Sequence, residues 1–261
     1  MRYSLRNYIF LSITSCLLVV LSACKRDLPP TIIAISKASD NYVTWLKRAD
    51  STVQFVNLYP LPVDSALSQL EHCSGLLLTG GEDVFPGIYA EAGDTARCGE
   101  INFYRDTLEI NLILHALKLK MPIFGVCRGE QILNVVFGGE LFIDIPQDFD
   151  TSVRHRCEDY LHCFHMVYVA PSSLLHSLCG CDSALVTTNH HQAVRVLAPD
   201  LQANAFSADG LIEGIELAEK NGQPFFLGVQ WHPERMEEEN SLSGPLAGAF
   251  LMKCRMYSRN K

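Results

Sequence analysis

Three short segments of this chain carry residue types that could do covalent chemistry together. In Ile123-Phe124-Gly125-Val126-Cys127-Arg128-Gly129-Glu130-Gln131 a cysteine stands between two near glycines, after an apolar run and ahead of a helical pattern. Glycines there permit a sharp turn that thrusts the side chain clear of a sheet, and a helix N-terminus behind it favours thiolate over thiol. Free cysteine titrates at about 8.5, so such a nucleophile needs a neighbouring base. Val229-Gln230-Trp231-His232-Pro233-Glu234 offers an imidazole that can take the thiol proton and, two residues on, a carboxylate that can fix its tautomer. Leu78-Thr79-Gly80-Gly81-Glu82-Asp83 ends another apolar run with paired glycines whose bare backbone can approach a substrate closely. The amides of Gly80 and Gly81, with that of Arg128, are candidate oxyanion donors. Taken singly, the first segment also fits a passive buried cysteine and the second an exposed turn. Their joint occurrence points to Cys127, His232 and Glu234 as a nucleophile, base and orienting acid.

The surrounding pattern must hold these segments at one edge of a sheet. Apolar runs at 31–35, 53–58, 75–79 and 122–126 read as buried strands, and amphipathic stretches at 42–48, 64–73 and 102–118 read as the helices between them. In the 102–118 helix Phe103, Leu108, Leu112, Ile113 and Leu117 form the apolar face, with Pro122 beyond its end. The helix after the cysteine is expected at 130–137. Alternation of this kind argues for a parallel sheet covered by helices on both faces. Later strands are expected at 166–170, 193–197, 201–206, 212–217 and 225–229, and a last helix at 246–257.

The N-terminus has a different character. Met1 to Arg6 carries two arginines and no acid, Ile9 to Leu21 is apolar but short for a bilayer span, and the stretch closes on Leu21-Ser22-Ala23-Cys24. That is the shape of a lipoprotein signal, with Cys24 as the lipidated residue. The expected organisation is a signal peptide at 1–23, the lipidated cysteine and a tether at 24–30, and a catalytic domain at 31–261. Such an anchor places the domain in a bacterial cell envelope, facing out of the cytoplasm. The chain has 21 basic and 29 acidic residues; cleavage would remove Arg2 and Arg6 and leave 19 basic residues, a formal charge of −10. A nucleic-acid partner is therefore not expected.

Ten cysteines less Cys16, Cys24 and Cys127 leave seven, an odd number with no paired Cys-x-x-Cys elements, so at least one stays free. Cys179 and Cys181 flank one glycine and read as small buried side chains at a helix end rather than a redox pair.

In their order along the chain, these segments resemble the class I glutamine amidotransferase superfamily, and within it the stand-alone γ-glutamyl hydrolases of the γ-glutamyl-γ-aminobutyrate hydrolase type. The resemblance includes Thr79 to Val84 with Tyr89, Arg105-Asp106 with Glu109, the cysteine segment, His155-Arg156, His165-Met166-Val167, His190-His191-Gln192, Ala208-Asp209-Gly210 and Gly228 to Glu234. It implies an α/β, flavodoxin-like fold with a mostly parallel central sheet flanked by helices. The implied reaction cleaves γ-glutamyl amides of small compounds through a thioester on Cys127, with no metal or organic cofactor. It also implies that Gln131, His190 and Gln192 line the substrate pocket. Two departures bear on substrate identity: Thr187-Thr188 stands where the family commonly has Asn-Ser, and no Ala-Gly-Gly precedes Pro60-Leu61-Pro62.

Histidines 155, 162, 165 and 176 invite a metal reading, but no two stand at the helical His-x-x-x-His spacing with an acid between. His155 and His165 are expected to order the loop over the pocket, and Tyr89, Phe103 and Tyr104 to be core or rim aromatics. Two rival functions share the fold: a glutaminase subunit serving a synthetase, which an envelope location without ATP disfavours, and a catalytically inactive γ-glutamyl-binding protein, which the intact triad disfavours.

Overall fold

Short apolar runs form the middle of the molecule because each is buried on both faces. In the computed structural model, which describes residues 30–89, 94–149 and 152–261, the chain begins with β1 (Ile32–Ile35), α1 (Asp40–Ala49), β2 (Gln54–Asn57), α2 (Val63–Leu70) and β3 (Gly75–Leu78). There follow α3 (Phe103–Lys118), β4 (Ile123–Val126), α4 (Arg128–Val136), β5 (Glu140–Phe142) and the single turn α5 (Ile145–Asp148). The second half contributes β6 (Phe164–Val169), α6 (Leu174–Cys179), β7 (Ser183–Thr187), β8 (Ala193–Val196), β9 (Leu201–Ser207), β10 (Ile212–Leu217), β11 (Phe226–Val229) and α7 (Gly244–Asn260).

Nine strands make one sheet in the order β2-β1-β3-β4-β11-β10-β9-β6-β7, and β5 pairs with β8 in a separate ribbon. The first five strands in that order run parallel and the remaining contacts are antiparallel. The flavodoxin-like α/β architecture is thus present, with the parallel part confined to one half of the sheet. Each face carries its own core. On one, Trp45 and Leu46 of α1 meet Phe124 of β4 and Phe250 of α7, with the Trp45 and Phe250 rings edge-on to Phe124 at 5.6 and 5.7 Å. On the other lie Leu70 of α2, Leu108 and Leu112 of α3 and Leu133 of α4.

Helix α3 departs from the expected apolar face. Asn102 caps it, accepting from the Arg105 amide at 3.0 Å. Phe103 is exposed and packs on the Phe85 ring, while Arg105, Asp106 and Glu109 are buried. Tyr104 is also exposed, and Tyr89 is buried. Among the described residues no helix is long and apolar enough to cross a membrane; Cys24 and the expected signal lie outside them.

Candidate active site

The elbow forms where β4 ends. Cys127 has φ 53° and ψ −108°, and α4 starts at the next residue. Its amide donates to Val229 O at 2.8 Å, tying the turn to β11, and its carbonyl accepts from the amides of Glu130 and Gln131. A Cβ on Gly125 would lie 2.6 Å from the backbone of Gly129, and one on Gly129 would lie 2.4 Å from Leu78 O, so glycine at the first lets the turn close on itself and glycine at the second lets it pack on β3.

Strand β11 lies beside β4 with Val229 opposite Val126, and it delivers His232 and Glu234 to the same edge. The His232 amide donates to Thr187 O at 2.9 Å. The ring Nδ1 donates to Glu234 Oε1 at 2.8 Å, and the ring also hydrogen-bonds the Cys127 side chain. Burial opposes a charge on His232, but the Glu234 carboxylate and the Cys127 sulfur outweigh it and lift its pKa to about 9.

The turn after β3 packs against this pair. A Cβ on Gly80 would be 3.0 Å from His232 Cε1 and 3.4 Å from Cys127 Cβ. The buried Arg105 guanidinium donates to Thr79 O at 2.8 Å and Gly80 O at 3.0 Å, and pairs with Glu82 at 2.6 Å and Glu109 at 3.0 Å. The Arg128 side chain, also buried, pairs with Asp106 and Glu109. The inner charges of α3 therefore hold the glycine turn and the first residue of α4 in place. One expected donor has to be corrected: the Gly80 amide donates to Tyr42 Oη at 2.8 Å and is not free for an oxyanion. The amides of Gly81 and Arg128 have no acceptor among the described residues.

A cavity of about 110 Å³ adjoins Cys127, lined by Gly81, Asp83, Gln131, Arg156, Asn189, His190, His191 and Gln192. Arg156, Asn189, His190 and His191 also border a wider cleft of about 800 Å³ that does not reach the cysteine. Gln131, His190 and Gln192 thus lie at the cavity wall, but largely engaged. Gln131 Nε2 donates to Gln192 O and Gln230 Oε1 at 2.9 and 3.0 Å, and Gln192 Oε1 accepts from the Val84 amide. His190 Nδ1 is 3.0 Å from Gln192 O.

The charged lining was not singled out from the sequence. Asp83 holds His191 Nε2 at 2.9 Å, and Arg156, exposed, has no ion-pair partner among the described residues. Both stand inside motifs quoted above, next to residues that drew notice. Thr187 and Thr188 are buried: the Thr187 carbonyl accepts from the His232 amide, and Thr188 Oγ1 donates to His155 O at 3.2 Å.

Cys157 and Cys163 form a disulfide, while Cys73, Cys98, Cys179, Cys181 and Cys254 are free. Cys179 Sγ lies 3.4 Å from Cys181 O at the end of α6, without a bond between the sulfurs. His162 and His176 lie toward solvent with Asp159 and Asp182. His155 and His165 instead join His190 and Glu213 in a buried cluster.

Residues 23–234 match the peptidase C26 family. Over 198 residues, 74% of this chain and 81% of the relative, the sequence is 42% identical to protein NtpR of Enterococcus hirae. It is 34% identical to γ-glutamyl-γ-aminobutyrate hydrolase of Escherichia coli over 212 residues, 78% of this chain and 81% of the relative. A putative glutamine amidotransferase of Schizosaccharomyces pombe is 35% identical over 71% of both chains. Among solved structures, the glutaminase domain of Trypanosoma brucei CTPS with bound acivicin shares the fold at a TM-score of 0.60 and 15% identity, covering 87% of this chain and 94% of that one.

Proposed function

The chain belongs to the peptidase C26 family, and from that premise we propose that it hydrolyses the γ-glutamyl amide bond of small γ-glutamyl compounds through a thioester on Cys127. The observation that carries this reading is the joining of a strained cysteine elbow to a buried His232–Glu234 pair beside a polar cavity. With Nδ1–H held by Glu234, His232 Nε2 takes up the thiol proton ahead of the attack, as its raised pKa favours, and the sulfur so freed attacks the γ-carbonyl carbon. The amides of Gly81 and Arg128 receive the oxyanion. Collapse of the tetrahedral adduct breaks the C–N bond, and the departing amine takes the proton from His232. Water, deprotonated by the same imidazole, then attacks the thioester and releases glutamate and the free thiol. Asp83 and Arg156 in the cavity wall suit the α-ammonium and α-carboxylate that every γ-glutamyl group carries.

We place this activity outside the cytoplasm, on a lipid anchor at Cys24. The Leu21-Ser22-Ala23-Cys24 sequence supports that location, and so does the Cys157–Cys163 disulfide, a bond that persists in oxidising compartments.

The test is a panel of γ-glutamyl amides, glutamine among them, with intact-mass detection of adducts on wild type and Cys127→Ala. Amine release and a γ-glutamyl adduct on wild type alone are expected. Ligand binding that persists in both proteins without turnover would overturn hydrolysis in favour of an inactive binder, and turnover of glutamine alone would favour a glutaminase.

A further inference from the structure

Three imidazoles and a carboxylate converge in the interior behind the cavity wall. His155 comes from the segment ahead of the disulfide, His165 from β6, His190 from the turn between β7 and β8, and Glu213 from β10. All four are buried, and one ligand-type atom from each lies within 4.8 Å of every other. Glu213 Oε1 is 3.2 Å from His155 Nδ1, 3.4 Å from His165 Nε2 and 3.5 Å from His190 Nε2. None of these approaches meets the geometry of a hydrogen bond, and all three nitrogens and both Glu213 oxygens are left without a partner.

The far side of each ring shows what the facing nitrogens carry. His165 Nδ1 is 3.1 Å from Met166 O and His190 Nδ1 is 3.0 Å from Gln192 O, and a carbonyl oxygen can only accept. His155 Nε2 is 2.9 Å from Asp209 Oδ2, again an acceptor. Each ring donates outward, so in its neutral form it turns a lone pair inward toward an anionic carboxylate. A buried group of lone pairs and negative charge is unstable unless something positive lies among them.

Imidazolium protons would draw nitrogen and oxygen into charge-assisted bonds of about 2.7–2.9 Å. The observed spacings are longer. Ligand atoms about 2.0–2.2 Å from a tetrahedral ion stand about 3.3–3.6 Å apart; the three distances from Glu213 Oε1 match that spacing, and the nitrogens, within 4.8 Å of one another, would draw together on the ion. A second acceptor on the outer nitrogen, carboxylate or carbonyl, is also the usual companion of a metal-bound histidine. We propose that His155, His165, His190 and Glu213 form a four-coordinate site for zinc or a similar divalent transition-metal ion, separate from Cys127 and His232.

Sequence spacing hid this site because its ligands come from four elements. Four protein ligands leave no open position, so the ion is structural. It pins the turn carrying Asn189 to Gln192, and the segment carrying Arg156, to strands β6 and β10, and so sets the shape of the cavity. The inference does not depend on the reaction at Cys127.

The test uses the full chain, stripped with chelator and reloaded with zinc or cobalt(II) alone. Wild type should take up one ion per chain, with the visible bands of tetrahedral cobalt and no thiolate charge-transfer band. Cys127→Ala should bind equally well, Glu213→Gln should lose the ion, and Asp209→Asn should bind about 10–100-fold more weakly. The site would be overturned by wild type that takes up neither metal, by a thiolate band, by loss of the ion in Cys127→Ala, or by unchanged binding in a folded Glu213→Gln. The wild-type spectrum decides the matter even where a variant does not fold.

Discussion

A non-glycine residue at φ 53° and ψ −108°, as Cys127 is, stores strain of about 1–3 kcal/mol that its surroundings must hold. What they hold is a thiol against His232, itself oriented by Glu234. Changing Glu234 to Gln keeps the shape and removes the charge; kcat toward a γ-glutamyl amide should fall by roughly 10⁴, and a loss below tenfold in steady-state assays would take Glu234 out of the mechanism. The same charge couples stability to pH. His232 titrates near 6.5 when unfolded and about 9 when folded, so its contribution is fully present below about pH 6.5 and is lost as pH rises toward 9. Urea unfolding of wild type across that window should show this decline, and His232→Gln should lack it; parallel curves for the two proteins would refute the coupling. The meeting of Cys127, His232 and Glu234 was legible because each stands in a contiguous motif next to a strand. The bond from the Gly80 amide to Tyr42 Oη was not, because 38 residues separate the partners and tyrosine had no visible reason to reach that turn.

Among the elements, the turn from β4 into α4 rests on contact between Gly125 and the backbone of Gly129. A backbone cannot swing aside as a side chain can, so Gly125→Ala should destabilise the protein by about 1–3 kcal/mol. Chemical denaturation is the measurement, and an unchanged midpoint would show that the elbow tolerates opening. Helix α3 teaches a related lesson. Its periodicity located the helix, but not the burial of Arg105, Asp106 and Glu109, because charged residues sink into a core only with partners, and those partners lie on other segments. Strands β5 and β7 were not foreseen either. The first has three residues, and the second lies at the sheet edge with Ser183, Ala184 and Leu185 not buried, so neither shows a buried run or clean alternation.

Across the whole molecule, the Cys157–Cys163 bond fastens the segment between two residues of the histidine cluster, His155 and His165. Closing so short a loop stabilises a fold by about 2 kcal/mol in the chain-entropy picture. The double variant Cys157→Ser, Cys163→Ser should lose about that much in equilibrium unfolding, and an unchanged stability would show that the loop is already ordered without the bond.

Strand β11 alone in the nine-stranded sheet has a parallel neighbour on one side, β4, and an antiparallel neighbour on the other, β10, yet it is the last strand of the sheet along the chain. As the polypeptide leaves the ribosome, the strands on either side of that gap are already made, and the cysteine of the elbow with them, while His232 has still to be added. Residues 226–229 occupy the place between β4 and β10, and the chain reaches His232 three residues later. Biosynthesis therefore arms the protein last, and a chain terminated ahead of β11 carries a sulfur with no base beside it.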